Sequence, residues 1–163
     1  MVIKMIVKEI RDEDFTSYKK PSMVIGFPSC TFKCEREACQ KMCQNSALAT
    51  APNIEIGVDT LVNRYLNNPI THAVICAGLE PMDSFEDLWR FIFHLRVKGC
   101  NDDMVIYSGY YKHEVPEEYL QRLRIVPNII VKWGRFIPNQ QPHYDDVLGI
   151  KLASDNQYAE RIS

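Results

Sequence analysis

Four cysteines fall within fourteen positions, spaced Cys30-x3-Cys34-x4-Cys39-x3-Cys43. Thiolates that close together hold either a metal or a cluster. Four of them can close a tetrahedral zinc site, although zinc knuckles favour tight pairs separated by a longer gap. Alternatively, a loop of cysteines can carry an iron–sulfur cluster. If only three thiolates bind a four-iron cluster, one iron keeps an open position at which a substrate can bind. The other two cysteines stand apart. Cys76 lies in the apolar run Ala73-Val74-Ile75-Cys76-Ala77 and reads as a small buried hydrophobe, while Cys100 follows Gly99 at a helix end.

Three further turns carry chemistry-bearing residues: Ala77-Gly78-Leu79-Glu80-Pro81, Ser108-Gly109-Tyr110 and Gly134-Arg135. They offer a carboxylate, a hydroxyl, a guanidinium and backbone that a ligand can approach closely. His72, His94, His113 and His143 show no ligand spacing, and no Ser, His or paired-carboxylate constellation suggests acid–base or nucleophilic catalysis.

The elements that must position these residues alternate. Residues 2–10 read as a strand and 23–27 as a short apolar one, with the cysteine loop at 28–45 following. Asp59 reads as the N-cap of a helix over 60–66, stopped by Asn67-Asn68-Pro69. A strand follows at 72–77. A helix over 85–97 then carries Phe85, Leu88, Trp89, Ile92, Phe93 and Leu95 at helical spacing and ends at Gly99. Next come a strand at 104–108, a helix at 116–124 opened by its proline, and a strand at 129–133. Residues 134–146 read as a polar loop and 147–153 as the final strand. Repeated strand–helix alternation predicts βαβ units, a mostly parallel sheet and an α/β fold. In such sheets ligands gather at the C-terminal ends of the strands. The cysteine loop and the three turns each follow a predicted strand, so all four are expected at one edge.

Length and composition bound the rest. The chain has 163 residues, enough to bury a core and the size of one domain. Apolar residues make up 46% and charged residues 25%, ordinary for a globular protein. Nineteen basic against 21 acidic residues leave a net charge of −2, which argues against a nucleic-acid partner. No apolar run is long enough to span a bilayer, and residues 1–9 lack the features of a signal peptide. The expectation is a cytoplasmic protein with no membrane partner.

Several motifs, taken together and in order, resemble the radical S-adenosylmethionine (SAM) superfamily. Cys30-x3-Cys34, followed later by Cys43-Gln44-Asn45, resembles its CxxxCxxC loop. Ala77-Gly78-Leu79-Glu80-Pro81 resembles its Gly-Gly-Glu-Pro turn. Val105-Ile106-Tyr107-Ser108-Gly109-Tyr110, Gly134-Arg135-Phe136 and Ala153-Ser154-Asp155-Asn156-Gln157 are similar to segments of the proteins that activate anaerobic ribonucleotide reductase. The resemblance implies a partial (βα) barrel in one domain, 1–163. It implies a [4Fe–4S] cluster on Cys30, Cys34 and Cys43, with Cys39 a further candidate. It places SAM near Gly78, Glu80, Ser108, Gly109 and Arg135, with Glu80 and the Gly78 backbone by its ammonium and Arg135 by its carboxylate. The implied activity is reductive cleavage of SAM that installs a glycyl radical on a large partner enzyme, such as an anaerobic ribonucleotide reductase. A flavodoxin or ferredoxin-type protein would supply the electron.

The chain also departs from that pattern. Eight residues rather than two separate Cys34 from Cys43, which makes 35–42 an insertion containing Cys39. Met42 stands where an aromatic residue often precedes the third cysteine, and Trp133 stands where the activating proteins carry an aspartate. Two other readings remain: a radical SAM enzyme acting on a small molecule, such as a deazapurine synthase, and a non-catalytic module binding metal through all four cysteines.

Overall fold

The structure is a computed structural model that describes residues 1–30 and 46–163. The expectations for Cys34, Cys39, Met42, Cys43, Gln44, Asn45 and the insertion 35–42 lie outside the described residues.

The described elements are, in order, β1 (Lys4–Val7), β2 (Glu9–Asp14), β3 (Ser22–Phe27), α1 (Ser46–Thr50), β4 (Ile54–Gly57), α2 (Val58–Leu66) and β5 (Ala73–Gly78). After a 3₁₀ turn (Pro81–Ser84) come α3 (Phe85–Val97) and β6 (Asp103–Tyr107). After a second 3₁₀ turn (Lys112–Glu114) come α4 (Glu117–Arg124), β7 (Ile129–Trp133), β8 (His143–Asp145), β9 (Ile150–Leu152) and β10 (Tyr158–Arg161). Six strands form one sheet in the order β10-β7-β6-β5-β3-β2. The four inner strands run parallel, and the two edge strands pair antiparallel to their neighbours. The chain is thus α/β with a mostly parallel mixed sheet.

The inner strands are largely buried on both faces, which is why they read as mostly apolar runs. Side chains alternate between two cores. Met23, Ile25, Phe27, Val74, Cys76, Met104, Ile106, Val131 and Trp133 pack with Leu61, Val62, Leu88, Ile92, Leu95, Leu120 and Leu123 of the helices. Val24, Ile75, Val105 and Ile130 face the other way, against Tyr18, Leu148 and Leu152. Helices therefore cover one face, while the segment around Tyr18 and the β8–β9 hairpin cover the other.

Several expected elements differ. The strand expected at 2–10 is two strands: β1 pairs with β4, and after Lys8 the chain turns to pair β2 with β3. An uninterrupted run of strand formers carries no record of a change of partner. The helix after Gly57 starts at Val58, so Asp59 lies in its first turn rather than capping it, where its charge still suits the helix dipole. Pro116 is the N-cap of α4, one residue outside the helix. The final strand expected at 147–153 is only β9, paired with β8 in a hairpin outside the main sheet. The true last strand, β10, closes the sheet beside β7. Only Ala159 of its four residues is buried, so it leaves no apolar run to read.

Other local expectations hold. α3 spans Phe85–Val97 and ends in a Schellman arrangement: Gly99 N–H donates to Arg96 C=O (2.9 Å) and Cys100 N–H to Leu95 C=O (3.2 Å). Cys76 is fully buried, its Sγ 3.6 Å from Met104 Sδ, and burial pushes its thiol pKa up. No helix among the described residues is long and apolar enough to cross a membrane.

Candidate functional site

Because β3, β5, β6 and β7 are parallel, their C-terminal ends lie along one edge. The four chemistry-bearing segments leave from that edge. The start of the cysteine segment is tied to the Glu80 turn: Leu79 N–H donates to Phe27 C=O (3.0 Å) and Glu80 N–H to Ser29 C=O (2.7 Å). Cys30, the one clustered cysteine among the described residues, stands half-buried just beyond. Among the described residues, no group of three or more His, Cys, Asp or Glu side chains gathers as a metal site. The remaining clustered thiols lie outside them.

Glu80 is the centre of the edge. It is 4% exposed, and its carboxylate is enclosed by donors from two turns. Oε1 accepts from Met82 N–H (3.0 Å) and the Ser108 hydroxyl (3.0 Å), and Oε2 accepts from Gly109 N–H (2.7 Å). Ser108 Oγ in turn accepts from Tyr110 N–H (3.0 Å). Glu80 therefore fastens the turn after β5 to the turn after β6. Burial outweighs these hydrogen bonds and pushes its pKa up to about 7.

Gly78 makes the approach of these turns possible. Its φ of +52° is a left-handed conformation that costs other residues. A Cβ there would lie 2.6 Å from Leu48 Cδ2 and 3.0 Å from Gly26 Cα, so β3, β5 and α1 meet where no side chain fits.

Arg135 is 5% exposed, and its fork grips Glu114: Nη1 to Oε1 and Nη2 to Oε2, each at 2.8 Å. Nη1 also donates to Gly109 C=O (2.8 Å), and the guanidinium lies over the Tyr111 ring at 4.6 Å. The fork that the resemblance assigns to the SAM carboxylate thus joins the β7 turn to the β6 turn. Replacing Arg135 by lysine keeps the charge but loses the paired geometry. The expected cost is about 1–2 kcal/mol, measured as a lower midpoint in urea, and an unchanged midpoint would contradict this role.

The structure thus brings together Gly78, Glu80, Ser108, Gly109 and Arg135, the five residues for which the resemblance implies a place beside SAM. It adds Glu114 and Lys132, which the sequence did not flag. Glu114 holds Arg135, and the buried Lys132 donates to Gly134 C=O (2.8 Å) and Ser108 C=O (3.4 Å). A lysine inside the run Ile129-Ile130-Val131-Lys132-Trp133 was the available signal, since a lysine so placed is buried only when paired. Asn156 donates to Arg135 C=O (2.7 Å) and the Tyr111 hydroxyl (3.0 Å). Gln157 accepts from Ala153 and Ser154 N–H. Both therefore close the end of the chain onto this edge. Trp133 packs wholly in the helix-side core and donates from Nε1 to Glu160 (3.1 Å), so no polar group from position 133 faces the edge.

Chemically, the edge combines a half-buried thiol, a buried carboxylate and a buried guanidinium on turns held by hydrogen bonds. Soft thiolate donors on the segment after β3 suit an iron–sulfur cluster or zinc. Compared with protein-family models and with curated proteins, the chain matches none.

Proposed function

We propose that this protein is a radical SAM activating enzyme, a divergent one, which installs a glycyl radical on a large partner enzyme resembling anaerobic ribonucleotide reductase. The observation that carries the proposal is the meeting, on one edge, of the start of the cysteine segment, up to Cys30, with the Glu80 turn, Ser108-Gly109 and Gly134-Arg135. The four parallel inner strands are also compatible with a partial (βα) barrel, while both edge strands run antiparallel to them.

In this reading Cys30, Cys34 and Cys43 hold a [4Fe–4S] cluster through thiolates, with Cys39 a further candidate ligand, and SAM binds at the same edge. Together these groups supply one-electron chemistry that leads to hydrogen abstraction from a glycine. The chain's own residues orient and shield. Gly78 lets the backbone come close. Glu80 places a carboxylate and its clamp between two turns. Ser108 and Gly109 line the same turn, and Arg135 with Glu114 fixes its far side. A flavodoxin or ferredoxin-type donor in the cytoplasm would supply the electron.

The test is anaerobic reconstitution with iron and sulfide, reduction, and an EPR spectrum with and without SAM. A [4Fe–4S]⁺ signal that changes on adding SAM, and that Cys30→Ser abolishes, is the expected result. A cluster indifferent to SAM, or one zinc held by four thiolates in a colourless protein, would overturn the proposal.

A further inference from the structure

α1 is a five-residue helix, too short to hold itself in water, and two contacts from distant parts of the chain fasten it. Leu48 seats its Cδ2 in a notch that two glycines leave open. A Cβ at Gly78 would lie 2.6 Å from that atom, and one at Gly26 would lie 3.4 Å from it. Lys8 supplies the second contact. Its Nζ donates to Ala49 C=O (3.4 Å) and to Ala51 C=O, carbonyls in the last turn of α1 and just beyond it. α1 has no basic residue in its own last turn. A cation from elsewhere in the chain therefore meets the negative end of the helix and the carbonyls it leaves unpaired.

Lys8 is also the residue at which the chain passes from β1 to β2. Its N–H donates to Gly26 C=O (2.7 Å), so its backbone is tied to the glycine that forms the notch. Gly26 on β3, Gly78 on β5, Lys8 and α1 thus make one block.

That block lies where the cysteine segment returns to the described fold. α1 opens at Ser46, three positions after Cys43. The other end of the segment is held as well, since Ser29 C=O, one residue before Cys30, accepts from Glu80 N–H (2.7 Å). A chain whose two ends are already held loses less freedom when its thiolates close on a metal. We propose that Lys8 is a positioning residue for these thiolates. Acting through α1, with Leu48 in its notch, it holds the end of the segment that carries Cys43, so that thiolates from both ends can share one metal centre. This role rests on the reading that the segment binds metal, and not on SAM cleavage or the glycyl radical.

The test uses the full chain, reduced and free of metal, with cadmium ion as the probe, because its bonds to soft thiolates give a charge-transfer absorbance. Carbonyl chemical shifts of Ala49 and Ala51 in the metal-free chain report whether Nζ donates to them. Lys8→Met keeps an aliphatic stem and removes the ammonium. It is expected to move both carbonyl shifts and to weaken cadmium binding about tenfold. Lys8→Arg, which keeps a cation at the helix end, is expected to recover most of that affinity. Leu48→Ala, which empties the notch, is expected to weaken binding in the same direction, and it decides the matter should Lys8→Met fail to fold. A merely structural role would lower the midpoint in urea and leave cadmium affinity unchanged, and that result would overturn the assignment. So would weaker binding with both carbonyl shifts unmoved, equal weakening in Lys8→Arg, or no thiolate–cadmium absorbance in the unaltered chain. A cluster indifferent to SAM would refute the proposed reaction and leave this readout intact, so the two proposals fail separately.

Discussion

Glu80→Ala is expected to destabilise the protein by about 3–4 kcal/mol, because it strands three donors at once, two of them in buried hydrogen bonds and the third in a part-buried one. Gly109 N–H, Met82 N–H and the Ser108 hydroxyl all end on this carboxylate, whose residue is 4% exposed. The substitution also unfastens the turn after β5 from the turn after β6. Loss of stability should therefore come with loss of whatever binds at the edge. A midpoint in urea close to that of the unaltered protein would refute this role for Glu80.

The same residue gives a pH signature. Burial raises its pKa from 4.5 to about 7 in the folded chain. Between those values the folded protein holds a proton that the unfolded chain has released, so stability falls as pH rises through that window and levels off above it. The expected fall from pH 5 to pH 8 is about 3 kcal/mol from this group. Glu80→Gln cannot titrate, so its own contribution should be flat across the window. It still loses stability at all pH values, because its amide nitrogen would oppose one of the backbone N–H donors. The carboxylates whose pKa is lowered, including Asp12, Asp14, Glu86 and Asp103, contribute stability that is lost only at more acid pH. The difference between the unaltered protein and the Gln variant, taken from urea unfolding at both pH values, isolates Glu80. Identical pH dependence in the two would show that Glu80 does not titrate in this range.

The second large effect belongs to Gly78. Gly78→Ala is expected to cost about 3 kcal/mol, combining a left-handed conformation imposed on an L-residue with overpacking. The clash at 2.6 Å is with Leu48 Cδ2, the end of a side chain that can move, but the contact at 3.0 Å is with Gly26 Cα, which cannot move without shifting β3 against β5. Gly78 also starts the turn that presents Glu80, so the variant should disturb the edge before the rest of the sheet. Hydrogen exchange should show early loss of protection at Leu79 and Glu80 N–H, which are bonded to Phe27 and Ser29. If Gly78→Ala retained full stability, the close approach of β3 and β5 would be wrong.

Much of this was legible locally. β3, β5, β6 and β7 are apolar runs of the right length, and the inner strands of a parallel sheet must be apolar on both faces because both are covered. α3 declared itself through helical spacing and its glycine stop. From strand–helix alternation alone the four turns had to share an edge, since parallel strands place all their C-terminal ends together. Local propensity therefore specified the scaffold and the neighbourhood of Gly78, Glu80, Ser108, Gly109 and Arg135.

The partners of those residues depend on contacts distant in the chain. Glu80 meets Gly109 across 29 positions, and Arg135 meets Glu114 across 21, and no local pattern encodes either pairing. The same holds for β10, an amphipathic edge strand with one buried residue, and for the change of partner at Lys8 that divides the first strand. Residue type marked the groups able to do chemistry, because charge and hydrogen-bonding capacity are properties of a side chain alone. Packing set what each group does, because burial and the donors within reach determine whether a carboxylate or guanidinium faces a ligand or holds two turns together.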